Sequence, residues 1–246
     1  MNLKGGLGNQ LFQYAFYLNL LNHGVQIDGF YESFHADTYE RNVEINKLLK
    51  KPINITSNID PNSIKIQCDD LCQILKYLDG VDNGTYLIDG YFQNLEYVVN
   101  SKIENHLNFF ISQIDKTAIH VRRNDYGHHG LLQKSYYEAA LEKLNYPDFY
   151  VYSDEYNFSN YVFSSFKGFK GVFKSSPSTT CSDFLNLVSF KNIIIANSTY
   201  SWFAAYFGSS ILSSKVFYPS HWSLLGNEFP GSKSDWLGID TLLASF

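Results

Sequence analysis

Residues 117–155 read Thr-Ala-Ile-His-Val-Arg-Arg-Asn-Asp-Tyr-Gly-His-His-Gly-Leu-Leu-Gln-Lys-Ser-Tyr-Tyr-Glu-Ala-Ala-Leu-Glu-Lys-Leu-Asn-Tyr-Pro-Asp-Phe-Tyr-Val-Tyr-Ser-Asp-Glu. Thr117–Val121 and Phe149–Tyr152 are short apolar runs rich in β-branched and aromatic residues, each ending in charged or polar residues. Between them, residues 135–145 carry a helical pattern, with Ser135 and Glu138 spaced as a capping box. Strand, helix, strand in this rhythm specifies a parallel sheet with crossover helices.

The rhythm extends both ways. Downstream, 179–190 reads as helix, 192–196 as a buried strand, 201–207 as helix and 215–218 as strand. Upstream, 86–91 reads as strand and 94–110 as helix. The start gives a short strand at 2–4, a glycine loop at 5–10, a helix at 11–21 apolar on nearly every face, and a strand at 25–28. Residues 29–84 give only a short helix at 70–78 amid loop signals. The fold class is α/β, and the seam falls near 111–116, dividing the chain into 1–115 and 116–246.

Composition narrows the function. With 246 residues, 45% hydrophobic and 17% charged, the chain supports a sizeable core and is not disordered. A net charge of −5 argues against a nucleic-acid binder. No apolar run reaches the ~20 residues that span a bilayer, and the first residues do not read as a signal peptide. Cys68, Cys72 and Cys181 form neither a disulfide framework nor a zinc pattern; reduced, cytoplasmic conditions suit them.

Of the 19 basic residues only Arg41, Arg122 and Arg123 are arginines, and two of them are adjacent. Arginine supplies a planar, permanently charged fork suited to phosphate or carboxylate. Alternation along a strand puts Arg122 and Arg123 on opposite sides. One is then able to reach a ligand while the other braces the site or pairs with Asp125.

Ligands of open α/β sheets bind beyond the carboxyl ends of the strands, and polar clusters fall at four such ends. The first is Gly5-Gly6-Leu7-Gly8-Asn9-Gln10, where small residues allow close approach to an anion or sugar; a plain tight turn is the bland alternative. It differs from the dinucleotide fingerprint by having Leu11 at the third glycine position. The second is His120 to Asp125, with His120 inside the strand in the manner of a core histidine. The third is Ser153-Asp154-Glu155, whose carboxylates suit a ribose or base, or merely cap a following helix. The fourth is Asn197-Ser198-Thr199-Tyr200-Ser201-Trp202, hydroxyls and amides at a helix start. Together they suit a nucleotide diphosphate. No Asp-x-Asp signature of metal-dependent sugar transfer is present, so arginine and helix amides are expected to stabilise the departing diphosphate.

Four segments in order, GGLGNQLFQYAF at 5–16, HVRRNDY at 120–126, FYVYSDE at 149–155 and NIIIANSTYSWFAAY at 192–206, resemble glycosyltransferase family 11, the α-1,2-fucosyltransferases. The resemblance spans nearly the whole chain, although 29–84 adds little. It implies two Rossmann-like domains facing a cleft, the GT-B type, with an acceptor-side N-terminal half and a C-terminal half that binds the nucleotide sugar. It implies inverting transfer of L-fucose from GDP-β-L-fucose to the 2-hydroxyl of a galactose-containing oligosaccharide, with no metal or other cofactor. Such an enzyme is cytoplasmic, soluble or peripheral to the membrane.

By the same resemblance Arg122 meets the donor β-phosphate, supported by Arg123 and Asp125. Gly6, Gly8, Asn9, Gln10 and His120 join the donor-binding set, with Asn9 and Gln10 facing donor and acceptor from the amino-terminal half. Asp154 and Asp183 lie near the guanosine, and Asn197, Ser198 and Thr199 near the phosphates. Asn124 stands where the family usually has glycine. For the general base, His128, His129, His35 and Asp125 all remain candidates. Two alternatives stay open: a different nucleotide sugar, or a non-catalytic glycan-binding protein on the same fold.

Overall fold

The computed structural model describes residues 1–34, 41–56, 58–80, 84–108, 110–124, 129–176, 178–224 and 229–244. The chain divides into two compact units, Met1–Asn108 and Phe109–Phe246.

In the first unit, β1 (Asn2–Leu3) leads into α1 (Leu7–Asn22), followed by β2 (Phe30–Glu32), β3 (Ile55–Thr56), β4 (Ile64–Gln67), α2 (Leu71–Asp79), β5 (Tyr86–Asp89) and α3 (Leu95–Ser101). Strands β1, β2 and β3 pair in that order, all parallel, and β4 pairs with β5, also parallel. A hydrogen bond of 2.7 Å from Asn2 Nδ2 to Asp89 Oδ1 brings the carboxyl end of β5 beside β1. Helix α1 is buried along most of its length, as its all-round apolarity predicts.

The second unit runs β6 (Ile114–Val121), β7 (Leu131–Leu132), α4 (Lys134–Lys143), β8 (Phe149–Ser153), α5 (Tyr156–Phe163), β9 (Phe169–Lys174), α6 (Thr180–Ser189), β10 (Phe190–Ile194), α7 (Thr199–Leu212), β11 (Lys215–Pro219), β12 (Leu237–Ile239) and β13 (Leu243–Ala244). Six strands form one parallel sheet in the order β12-β11-β10-β6-β8-β9. Numbered within the sheet, this is 6-5-4-1-2-3, the doubly wound nucleotide-binding order. Its direction of winding reverses between β6 and β10. The short strands β7 and β13 pair antiparallel at one side.

Alternation sorts the side chains of β6 between two layers. Val121 and Ile119 join Tyr136, Tyr137, Phe149, Val151 and Phe163 in a core with α4 and α5. Helices α6 and α7 pack together on the other face. Trp202, Phe203 and Phe207 of α7 are each 0% exposed. Full burial of an aromatic ring of this size contributes roughly 1.5–3 kcal/mol, so the segment Trp202–Phe207 is core.

Several local expectations are corrected. Helix α1 begins at Leu7 rather than Leu11, so Gly8, Asn9 and Gln10 are helical. Residues 25–28 form no strand; the strand that pairs with β1 is Phe30–Glu32. Helix α4 begins at Lys134 with Gln133 at its N-cap, and no side chain caps it, so Ser135 closes no capping box. Residues 94–110 give only the helix Leu95–Ser101 and a 3₁₀ turn at Ile103–His106.

Candidate active site

The carboxyl ends of β6, β8 and β10 define the candidate site of the second unit. The pairing Ile119↔Ile194, carried three residues on, sets Arg122 across from Asn197. The pairing Val121↔Ser153 sets Arg122 across from Asp154. Arg122 therefore stands where the order of the sheet reverses, the place where such sheets open a crevice for ligands.

The two arginines do face opposite layers. Arg123 turns toward α5: its guanidinium lies 3.6 Å from the centre of the Phe158 ring, and Nε donates to Glu155 Oε2 at 3.0 Å. Arg122 lies on the other face, its Nη1 3.2 Å from Asp154 Oδ2, with 30% of its side chain exposed. Asp154 does more than balance that charge. Its Oδ1 accepts from the amide of Arg123 at 3.0 Å and its Oδ2 from the amide of Asn124 at 3.3 Å. Asn124 Nδ2 closes the loop onto the Asp154 carbonyl at 2.9 Å. Asp154 thus aims Arg122 and fixes the chain after β6.

His120 shares the Arg122 face, its ring 5.4 Å from that of Tyr200. It is 4% exposed, and its Nδ1 has no hydrogen-bond partner among the described residues. Burial, and secondarily the Arg122 charge, push its pKa down to about 3. It is neutral at any working pH, and it is not the satisfied core histidine that its place in the strand suggests.

The start of α7 lies at the next strand end. Ser198 is its N-cap in extended conformation, with no side-chain cap, and no acidic residue stands in the first turn. The first amides of this 14-residue helix present partial positive charge beside Arg122. Thr199 is the first helical residue. Asn197 has a different duty: its Nδ2 donates to the carbonyls of Gly130 and Trp222, both at 3.0 Å. Both protons of the amide are used, so Asn197 ties together the loops after β6 and β11. Asp183, 8% exposed in the first turn of α6, accepts from Thr179 Oγ1 at 2.8 Å. Burial, with the Asp183 charge behind it, raises the pKa of Tyr152.

In the first unit, Gly5 needs its lack of a side chain: φ is +75°, and a Cβ would come within 2.5 Å of Asn9 Nδ2. Gly6 is the N-cap of α1. Gln10 is fully committed: Nε2 donates to the carbonyls of Gly5 and Asn42, and Oε1 accepts from the amides of Glu44 and Ile45. At 0% exposure it braces the segment after Arg41. Asn9 Oδ1 accepts from Gln93 Nε2 at 3.0 Å.

Nothing in the sequence singled out the end of β5. Asp89, 5% exposed, pairs with Lys4 at 2.7 Å and Lys65 at 2.8 Å. Burial pushes its pKa up, but the hydrogen bonds from Lys4, Lys65 and Asn2 outweigh this and hold it well below the usual carboxylate range. The available signal was a polar residue closing an apolar strand before a glycine. Asp125, His128 and His35 lie outside the described residues. No group of three or more His, Cys, Asp or Glu side chains able to hold a metal ion occurs among the described residues. None of the three cysteines forms a disulfide. Among the described residues no helix is long and apolar enough to cross a membrane.

No family model matches the chain. The O-antigen biosynthesis glycosyltransferase WbnK of Escherichia coli is 23% identical over 300 aligned residues, covering 96% of this chain and 99% of that protein. An alpha-1,2-colitosyltransferase of Escherichia coli is 26% identical over 250 residues, covering 83% and 85%. Among solved structures, the Escherichia coli heptosyltransferase WaaC with ADP matches at a TM-score of 0.46 and 8% identity, covering 98% of this chain and 93% of that one. The protein is a glycosyltransferase. Both of these relatives are glycosyltransferases by name.

Proposed function

We infer that the protein transfers L-fucose from GDP-β-L-fucose to the 2-hydroxyl of a galactoside-type acceptor, with inversion and without a metal. The C-terminal unit holds the donor and the N-terminal unit the acceptor. The observation that carries this reading is Arg122 at the switch point of a doubly wound sheet, aimed by Asp154 and set across from the start of α7.

In the reaction, the acceptor 2-oxygen forms a bond to the anomeric carbon as the bond from that carbon to the phosphate oxygen breaks. Negative charge grows on the departing diphosphate. Preorganised charge aimed at such a site is often the largest catalytic contribution, and Arg122 with the amides of Ser198 and Thr199 supplies it. Neutral His120 keeps a second cation out of the space beside Arg122. The acceptor proton passes to one of Asp125, His128, His129 and His35, and Asp125→Asn and His128→Gln test the first two. Arg123, Asn197 and Asp154 hold the geometry.

The test is thermal shift with GDP, UDP and CDP, then incubation with GDP-fucose and a galactoside panel followed by mass and linkage analysis. A ligand of the native state raises stability by mass action. GDP alone should raise Tm, and the product should carry a 1,2-linked fucose. A UDP-specific shift would overturn the donor. A second reading, favoured by the colitosyltransferase relative, keeps the fold and reaction and replaces fucose by colitose. Parallel assays with the two activated sugars decide it.

A further inference from the structure

We propose that the turn Gly90–Gln93, together with Lys4 and Asn9, is a binding subsite for a neutral pyranose ring. Its identification as the acceptor sugar rests on the transfer reaction inferred above. The chemistry of the subsite rests on the residues themselves.

The turn leaves β5 at its carboxyl end, beside the carboxyl end of β1, where Asn2 and Lys4 both meet Asp89 Oδ1 at 2.7 Å. This is the end at which α/β sheets receive ligands. Its backbone is shaped against preference. Phe92 has φ 53°, a left-handed conformation that a bulky residue keeps only when its surroundings impose it. Here the surroundings do so. The Phe92 ring stacks on Phe16 at 3.9 Å with the planes 6° apart. Its amide donates to Asp69 Oδ1 at 2.9 Å. Gly90 has no space for a side chain, since a Cβ would overlap Asp69 Oδ1 and the Phe92 ring.

Phe92 is turned inward at 1% exposure, Tyr91 is turned outward, and Gln93 is half-buried. Tyr91 keeps 41% of its surface exposed, with Lys4 Nζ 4.6 Å from its ring centre. Gln93 Nε2 donates to Asn9 Oδ1 at 3.0 Å, joining two carboxamides at the start of α1. A turn that served only to join β5 to α3 is met by glycine at 92 and a polar residue at 91. Strain spent on presenting a tyrosine and an amide pair points to a ligand.

The chemistry selects that ligand. A pyranose presents an apolar C–H face and a rim of hydroxyls. Tyr91 offers an amphipathic ring to the first, and the Asn9–Gln93 carboxamides offer donors and acceptors to the second. The ammonium of Lys4 is paired with Asp89, and Lys65 meets the other oxygen at 2.8 Å. The patch is thus no phosphate cradle, and it suits an uncharged sugar.

The test uses the whole chain and saturation-transfer NMR with methyl glycosides of galactose, glucose, mannose and N-acetylgalactosamine. Wild type should saturate at least one of them. Tyr91→Ala and Gln93→Ala should lose the signal, whereas Tyr91→Phe should keep it. Tyr77→Ala, at an equally exposed tyrosine on α2 (42%), is the control that behaves as wild type. In transfer assays, Tyr91→Ala should raise the acceptor KM by about tenfold or more and shift the GDP Kd by less than about twofold. Unaltered Tm in each variant shows that the fold is intact. Wild-type sugar binding by Tyr91→Ala overturns the subsite, as does a wild type that binds none of the panel. GDP binding, read separately by thermal shift, reports on the donor. A chain that ignores GDP yet loses sugar with Tyr91→Ala retains the subsite and loses the donor reading.

Discussion

Replacing Arg122 by lysine keeps the charge and removes the fork, which separates geometry from electrostatics. In the native chain, Nη1 reaches Asp154 Oδ2 at 3.2 Å while 30% of the side chain stays exposed. Guanidinium spans two partners at once; an ammonium is a single point. Lysine at 122 must then choose between Asp154 and the diphosphate. Losing one hydrogen bond to a charged group costs roughly 1.5–3 kcal/mol, which is about 10- to 150-fold in kcat/KM at ~1.4 kcal/mol per decade. Arg122→Ala loses the charge as well, and the expected cost rises to ~2–5 kcal/mol. Alanine also takes the guanidinium away from the Asp154 carboxylate, which is 10% exposed and accepts from the amides of Arg123 and Asn124. A parallel Asp154→Asn variant and the double variant correct for this. If Asp154 acts through Arg122, the double variant loses little beyond Arg122→Ala alone. The assay is initial-rate GDP release with acceptor present, alongside GDP Kd and Tm for each protein. Folded Arg122→Lys with kcat/KM within about twofold of wild type, far inside the range expected from a lost charge-assisted bond, refutes the argument.

Three further outcomes follow from the same geometry. Transfer in excess EDTA should proceed at the full rate; complete loss restored by manganese would show that a metal takes the place assigned to Arg122 and the helix amides. Asp89 has a folded pKa below its unfolded value, so its contribution is present above about pH 4 and is lost as pH falls. Asp89→Asn should therefore lower Tm at pH 7, by the equivalent of ~1–3 kcal/mol, and the gap to wild type should shrink below pH 4; a gap independent of pH contradicts the pairing with Lys4 and Lys65. The His120 ring, held near pKa 3 by burial, should show no titration by NMR between pH 5 and 8, and a midpoint near 6.5 would place it in water.

The parts of the fold that were legible are those governed by periodicity. The runs Thr117–Val121, Phe149–Tyr152 and 215–218 all fall within parallel strands. Alternation alone separated Arg122 from Arg123. The elements that stayed hidden lack that signal. Strand β9 (Phe-Lys-Gly-Val-Phe-Lys) is a half-exposed edge strand interrupted by glycine, and β3 has only two residues. The amino end of α1 was masked by glycines that read as loop, although Gly5 and Gly6 alone are outside the helix. At the site, residue types were legible and partners were not. The bond between Arg122 and Asp154 depends on the register of β6 against β8, which no local pattern encodes. The burial of Gln10 depends on residues 42–45, in a region whose sequence carries no period. Phe92, left-handed yet not glycine, is held by contacts distant in sequence, and so the turn it shapes went unread.

The most direct measurement is a crystal structure of the protein with GDP bound. The guanidinium of Arg122 should lie within about 2.7–3.2 Å of a β-phosphate oxygen, with the first amides of α7 on the same group and Asp154 still behind the arginine. A nucleotide whose phosphates sit elsewhere, with Arg122 bonded only to Asp154, would contradict the account.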